Sequence, residues 1–210
     1  MEIEFKYLLP DDAAQEAMWT EENFSRFGEL DSFEKTEMQA IYYDTEDGLL
    51  QEVEAAFRIR KEGRRYVATL KWGGKSEEAL HEREELSIKL CGEPDLVHPT
   101  LDIFAESEKG NELIKLVGSR QLSRIMENSF IRQTVRIDTG STICEAALDK
   151  GETVTDAGTC KIHELELELF SGSIEDVKHI GDTLCAEFGL EPGLKSKYYR
   201  GLLLLEGKNA

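Results

Sequence analysis

The sequence has 210 residues and a formal net charge of −18, with 40% hydrophobic and 32% charged residues. This balance excludes a disordered chain, and the length is sufficient to bury a substantial core. No apolar run reaches the roughly 18–20 residues that span a bilayer, and the first residues lack the layout of a signal peptide. We therefore expect a cytoplasmic protein outside the membrane, whose four scattered cysteines stay reduced.

The acidic total also argues against nucleic acid as a partner, because nucleic-acid binders normally present a net basic face. An acidic protein that binds a polyanion needs a concentrated basic pocket, divalent cations, or both. No repeat, low-complexity tract or linker divides the sequence. We expect one domain over residues 1–210, present as a monomer or a homodimer.

Alternation of apolar and polar residues with period two predicts eight β-strands. In chain order they are Glu2–Leu9, Phe33–Tyr43, Ala55–Lys61, Arg65–Trp72, Leu80–Leu90, Leu122–Ile137, Thr142–Asp149 and His163–Phe170. Hairpin turns are predicted at residues 60–64, 138–141 and 150–152.

Helical signals are fewer and lie between or after the strands. An acidic first turn after Pro10 predicts a helix over residues 11–28, and Thr45 is expected to cap a short helix over residues 46–52. Further helices are predicted over Ser107–Val117, Ser173–Phe188 and Ser196–Leu205. Many strands with few helices indicate an α+β fold, and eight antiparallel strands suit a closed β-barrel with peripheral helices, since closure removes exposed edges.

One face of strand after strand carries charges of one kind. Glu164, Glu166 and Glu168 share a strand face, where they repel one another unless cations neutralise them. Arg58 and Arg60 share another, and they need an anion between them. Divalent cations take carboxylate oxygens and Arg and Lys take phosphate oxygens, so the segregation indicates a metal–phosphate site. For any single strand, a solvated outer face is the alternative.

Taken in order, these charged positions resemble the motifs of the CYTH, or triphosphate tunnel metalloenzyme, superfamily. The resemblance starts with Glu2-Ile3-Glu4-Phe5-Lys6 and extends to Arg200, nearly the whole chain. The motifs between them are Tyr42-Tyr43-Asp44-Thr45, Arg58-Ile59-Arg60, Thr69-Leu70-Lys71, Arg83-Glu84-Glu85, Arg132, Glu145-Ala146-Ala147-Leu148-Asp149, Glu166-Leu167-Glu168 and Ser196-Lys197. The resemblance implies an eight-stranded antiparallel barrel, open at both ends, with these side chains in its bore.

The resemblance also implies roles for the motif residues. The metal ligands, for Mg²⁺ or Mn²⁺, would be Glu2, Glu4, Glu145, Asp149, Glu166 and Glu168. The substrate-binding residues would be Lys6, Arg58, Arg60, Lys71, Arg83, Glu85, Arg132 and Lys197. The catalytic group would be Glu2, Glu4, Lys6, Glu166 and Glu168. Four further charged residues are expected at strand ends or a barrel mouth: His81, Lys89, Arg136 and Glu164.

The expected activity is metal-dependent hydrolysis of inorganic triphosphate, a short polyphosphate, by attack of water on a terminal phosphorus. No serine or cysteine nucleophile with an adjacent base is recognisable, so we expect no covalent intermediate. Bacterial inorganic triphosphatases often carry a further helical domain at the C-terminus, which we expect to be absent from a chain ending at Ala210.

Three alternatives stay open: an adenylate cyclase of the same superfamily, a thiamine triphosphatase, and a non-catalytic module that binds polyphosphate or nucleotide. The cyclases typically carry a His-Phe pair before the first motif, where this sequence has only Met1. A thiamine site needs a stacking aromatic residue, for which Trp19 and Trp72 are candidates. A pure binding module does not require the glutamate set Glu2, Glu4, Glu166 and Glu168.

Overall fold

An antiparallel β-sheet that closes on itself forms the framework of the protein. The computed structural model describes residues 2–31, 33–77 and 79–208, so Met1 and Ala210, the limits of the predicted domain, lie outside the described residues. The long strands are β1 (Glu2–Leu8), β3 (Glu34–Thr45), β4 (Ala55–Glu62), β5 (Arg65–Glu77), β6 (Leu80–Leu90), β7 (Leu122–Asp138), β8 (Ile143–Thr155) and β9 (Gly158–Ser171). The short strands are β2 (Glu29–Leu30) and β10 (Glu191–Pro192).

The long strands are hydrogen-bonded in the order β1–β6–β5–β4–β3–β7–β8–β9, and β9 pairs with β1 to close the ring. Every one of these pairings is antiparallel. The short strands β2 and β10 extend the sheet beside β7 and β1. The predicted α+β class and closed eight-stranded antiparallel barrel are therefore confirmed.

The described residues include six α-helices and one 3-10 helix. Their bounds are α1 (Asp12–Met18), α2 (Glu21–Ser25), α3 (Leu49–Glu52), the 3-10 helix (Leu101–Phe104), α4 (Glu108–Val117), α5 (Ile174–Phe188) and α6 (Lys197–Leu205). Ser107, Ser173 and Ser196 cap the last three helices, as their positions in the sequence predict. No helix among the described residues has the length and apolar character needed to cross a lipid bilayer.

Two apolar clusters pack helices against the outer face of the barrel. Helix α5 buries Val177 and Ile180 in a cluster that contains Tyr7 of β1. Helix α4 buries Leu113 in a second cluster that contains Phe57 of β4. Because successive side chains of a strand point to opposite faces, apolar residues that pack outward leave the alternating charged residues to face the bore.

The first predicted helix is broken into two, so the prediction of one helix over residues 11–28 is wrong. Asp11 caps α1 by accepting a hydrogen bond from the backbone N–H of Ala14. Thr20 has an extended backbone and caps α2 by accepting from the N–H of Asn23. A residue in this conformation cannot continue a helix, and its side chain starts the next one.

The short third helix is also capped differently from the prediction. It covers Leu49–Glu52 rather than residues 46–52, and the Asp44 carboxylate accepts from the N–H groups of Leu50 and Gln51. Thr45 contributes one further capping hydrogen bond, in which its hydroxyl accepts from the N–H of Leu49. A carboxylate satisfies more of the free N–H groups at a helix start than a hydroxyl does.

The predicted hairpin turn at residues 150–152 is wrong, because β8 runs through it. The chain reverses between Thr155 and Gly158 instead. Gly151 allows close approach of two strands: a Cβ atom there would lie 2.1 Å from the carbonyl oxygen of Ser129 on β7. A glycine inside a strand can therefore mark close packing as well as a turn.

Candidate active site

A cavity of about 400 Å³ lies in the bore of the barrel. Its basic side chains are those of Lys6, Arg58, Arg60, Lys71, Arg83, Lys89, Arg132 and Lys197. Its acidic side chains are those of Glu2, Glu4, Glu62, Glu85, Glu166 and Glu168. The bore thus has a small excess of positive charge inside a protein whose formal charge is −18. Two larger depressions, of about 1050 and 1030 Å³, contain none of the predicted site residues.

Strand register brings acidic residues from three strands into one row. Glu4 on β1 lies opposite Glu168 on β9, and Glu168 lies opposite Glu145 on β8. Two residues further along β1, Lys6 lies opposite Glu166. Cross-strand neighbours on one face are about 5 Å apart, so residues distant in sequence become electrostatic partners.

Glu2, Glu4 and Glu168 form an acidic wall on β1 and β9. Burial, together with the charges of Glu2 and Glu4, raises the pKa of Glu168 to about 7. Burial also raises the pKa of Glu2, although Lys71 opposes the shift with its Nζ atom 2.5 Å from Glu2 Oε2. Lys6 pairs with Glu4 and Lys71 pairs with Glu2, and a cation bound beside Glu168 would relieve the repulsion that these carboxylates exert on it.

Arg58, Arg60 and Arg132 form a basic wall on β4 and β7. In the ring of strands, β4 lies opposite β9, so the two walls face each other across the bore. Burial and the charges of Arg58 and Arg132 lower the pKa of Arg60. The guanidinium groups therefore repel one another, although Glu62 pairs with Arg60, and Asp149 and Glu166 pair with Arg132. An anion placed among them would relieve the remaining repulsion.

Lys71 and Glu85 connect the two walls. Lys71 Nζ lies 2.5 Å from Glu2 Oε2 and 2.7 Å from Glu85 Oε2. Burial would raise the pKa of Glu85, but the charges of Lys71 and Arg58 lower it to about 2. Glu85 is consequently ionised at neutral pH and holds Lys71 in place through their ion pair.

A buried ionic cluster lies beside the cavity. Asp149, Glu164 and Glu166 present carboxylate oxygens within 4.8 Å of one another, a spacing that could hold a metal ion. Lys197 Nζ already lies 2.7, 2.5 and 2.8 Å from these three carboxylates, respectively. The other basic partners of the cluster are Lys6, Arg132 and Arg200. The protein's own cations thus balance this cluster, in contrast to the acidic wall.

Most residues of the predicted site share the single bore cavity. Among the described residues of that set, Glu145 and Asp149 are the two that do not line it. Glu145 lies next to Glu168 in the register, and burial raises its pKa. Asp149 is fully buried behind Arg132, which donates two hydrogen bonds to it at 2.7 and 2.6 Å.

Two of the four residues expected at strand ends or a mouth are placed differently. Glu164 is fully buried in the ionic cluster, and buried His81 bonds through Nε2 to the carbonyl oxygen of Gly193 at 2.8 Å. Lys89 and Arg136 are exposed, and Lys89 lines the cavity from the end of β6. A strand's end in the sequence does not fix its depth in the barrel, because register staggers neighbouring strands.

Several residues of the site were missed by sequence reasoning. Asn128 and Tyr198 line the cavity, and Arg200 pairs with Glu164. Tyr42, a motif residue expected in the bore, also lines it, but no role was predicted for it. Asn128 was detectable in principle, since it shares the period-two face of Arg132. The two candidate aromatic residues lie outside the cavity lining: Trp19 packs against Phe24 and Phe33, and Trp72 packs against the cluster around α4.

The fold is a closed antiparallel barrel, and its bore has carboxylates on one side and guanidinium groups on the other. These features define a class of protein with a charged tunnel. The chain belongs to the CYTH family of triphosphate tunnel enzymes, since the CYTH domain model matches residues 1–201. This confirms the resemblance found in the sequence.

Individual proteins are similar to this chain in sequence or in fold. The inorganic triphosphatase of Haemophilus influenzae is 29% identical over 163 residues, which cover 78% of this chain and 44% of that protein. The chain therefore matches less than half the length of that curated relative. A Hippeastrum protein proposed as an adenylyl cyclase, with a dominant triphosphatase activity, has 22% identity and a TM-score of 0.68 over 100% of this chain and 98% of its own. Protein PH1819 of Pyrococcus horikoshii has 20% identity and a TM-score of 0.59 over 99% and 100%.

Proposed function

We propose that this protein hydrolyses inorganic triphosphate inside the barrel, in a metal-dependent reaction. The facing acidic and basic walls carry the proposal, because a metal–triphosphate complex has complementary charges on its two sides. The 29% identity to an inorganic triphosphatase supports this choice among the substrates of the family. The bore is about 400 Å³, which suits a short phosphate chain.

Mg²⁺ or Mn²⁺ fits the acidic wall better than it fits the buried ionic cluster. Glu168 lies opposite Glu4, and burial together with the charges of Glu2 and Glu4 raises its pKa, whereas Lys197 and its neighbours neutralise the cluster. Hard divalent cations prefer such carboxylate oxygens. A bound ion would supply Lewis-acid polarisation of a phosphoryl oxygen and a water of lowered pKa.

The basic residues would hold the phosphate chain and stabilise charge on its oxygens as the terminal bond breaks. In this proposal Arg58, Arg60 and Arg132 take the anion from one side. Burial alone would lower the pKa of Lys6, but Glu164, Glu166 and Glu4 raise it well above its usual range. Lys6 therefore acts as a fixed positive charge and not as a base.

Adenylate cyclisation is the second candidate function, and one observation favours it. A cavity of about 360 Å³ adjoins the bore and shares Lys71 and Arg83 with it. Tyr198 and Tyr199 line this second cavity, where an aromatic base could stack. Formation of cyclic AMP and pyrophosphate from ATP would support this function over hydrolysis.

The decisive experiment measures phosphate release from inorganic triphosphate and from ATP, with Mg²⁺, Mn²⁺ or EDTA. We predict fast metal-dependent release from triphosphate, and a loss of about 100-fold or more in Glu4→Gln, because that change removes a metal ligand. Glu22→Gln, which alters an exposed glutamate on α2, is the matched control and should retain full activity. Tight binding of triphosphate without turnover under any metal would contradict hydrolysis and indicate a binding module.

A further inference from the structure

Asn128 on β7 is fully buried and lines the bore cavity. Neither its Nδ2 nor its Oδ1 atom has a hydrogen-bond partner among the described residues. A primary amide can donate two hydrogen bonds and accept two, so a buried amide with none opposes folding. Most buried polar groups in proteins are paired, and an exception in a cavity wall points to a ligand.

The surroundings of Asn128 indicate which kind of ligand it meets. Asn128 lies opposite Ala40 on β3, and Ala40 lies opposite Arg60 on β4, so the three residues form one row across the wall. Arg132 lies on the same face of β7, four residues further along. Ala40 has only a methyl group, so it does not fill the space between the amide and the Arg60 guanidinium. The amide is therefore part of the basic wall.

We propose that Asn128 is a substrate-binding residue, whose Nδ2 donates a hydrogen bond to a phosphoryl oxygen held by the basic wall. This inference rests on the proposed function, since it takes triphosphate as the anion in the bore. A neutral donor suits this position because it adds a hydrogen bond without adding a further positive charge to arginines that already repel one another.

Thr153 provides a matched comparison. It lies opposite Asn128 on β8, is fully buried, and its hydroxyl also has no hydrogen-bond partner among the described residues. Thr153 does not line the bore cavity. The two residues are cross-strand neighbours that both lack a hydrogen-bond partner, and of the two only Asn128 lines the cavity. A larger loss of binding in the Asn128 variant than in the Thr153 variant therefore separates contact with the ligand from a change in local packing.

The experiment is calorimetric titration of wild type, Asn128→Leu and Thr153→Val with sodium triphosphate in EDTA, together with thermal unfolding of each protein without ligand. We expect Asn128→Leu to weaken triphosphate binding roughly 10- to 100-fold, since it removes a hydrogen bond to a charged group. Its Tm without ligand should equal or exceed that of wild type, because an unpaired amide is removed. Thr153→Val should change the Kd by less than twofold.

An unchanged Kd in Asn128→Leu would overturn the inference. If the Tm of that variant were also lower, the amide would be paired in the free protein. If Asn128→Leu does not fold, Asn128→Asp serves as the second variant: its carboxylate should weaken binding at pH 8, and an unchanged Kd would overturn the inference. Because the readout is binding without metal, wild type that binds triphosphate but never hydrolyses it refutes only the proposed function. Wild type that does not bind triphosphate refutes both.

Discussion

Glu168 shows how the site alters a single side chain. Its carboxyl group has an ordinary pKa of 4.5, and burial with Glu2 and Glu4 raises that pKa to about 7 in the folded protein. Between these two pH values the folded state keeps a proton that the unfolded chain loses. The contribution of Glu168 to stability therefore falls as pH rises from about 4.5 to 7.

We predict that Glu168→Gln stabilises the metal-free protein at pH 8 by an amount on the order of 2–3 kcal/mol, and at pH 5 by less than about 1 kcal/mol. Glutamine resembles the protonated carboxyl group, so the two proteins are equivalent where Glu168 is protonated in both the folded and the unfolded state, and at pH 5 the unfolded chain has begun to ionise. Thermal unfolding in EDTA at both pH values measures the effect. Glu152→Gln, at an exposed position on β8, is the control. Equal gains at pH 5 and pH 8 would contradict the raised pKa.

Single strands reveal which way a side chain points but not how deep it lies. Alternation correctly placed Glu4, Arg58 and Glu168 toward one bore, because period two is a property of the backbone. Glu164 belongs to the same face, yet it is fully buried among basic residues and not at a mouth. Its depth depends on the register of β9 against β1 and β8, which no pattern within β9 encodes.

At the scale of elements, helix α6 is joined to the barrel by its first residue. Lys197 is buried, and its Nζ atom lies within 2.8 Å of Asp149, Glu164 and Glu166. Removing a partner from a buried ion cluster leaves uncompensated charge in a region of low dielectric, which destabilises far more than loss of a surface pair.

We predict that Lys197→Met lowers the free energy of unfolding by about 3 kcal/mol, since three buried carboxylates lose a shared cation. Urea unfolding followed by circular dichroism measures the change. The control is Lys178→Met on α5, which removes an exposed pair with Asp182 and should cost about 0.5 kcal/mol or less. Similar losses in both variants would show that Lys6, Arg132 and Arg200 compensate the cluster without Lys197.

Strands and helices were predictable to the extent that local sequence determines them. Serine caps marked the starts of α4, α5 and α6, because the capping hydrogen bond is local. Gly151 led to the wrong prediction of a turn, because this glycine allows β7 to pack closely against β8. The close contact is with Ser129, about 20 positions earlier in the sequence, so no local pattern reveals it. The end of β8 is likewise set by its partner strands.

At the scale of the whole molecule, the sign of the charge in the bore differs from the sign of the protein's net charge. The protein is strongly acidic, whereas the bore contains more basic than acidic side chains and separates them onto facing walls. A metal ion alone leaves the basic wall repelling itself, and triphosphate alone faces the repulsion of the acidic wall. Both ligands together satisfy both walls, so their binding should be cooperative.

We predict that saturating Mg²⁺ and triphosphate together raise the Tm by more than the sum of their separate shifts. A ligand at 100 times its Kd stabilises the folded state by about 2.7 kcal/mol, which corresponds to roughly 5–10 °C for a chain of this size. Thermal unfolding with neither, either and both ligands, at matched ionic strength, measures the excess. Because the coupling acts through the acidic wall, Glu4→Gln should abolish the excess and enlarge the shift from triphosphate alone, since it removes a charge that repels the anion. Additive shifts in wild type would mean that the two walls bind their ligands independently, and the opposition of charges would then have no part in forming the complex.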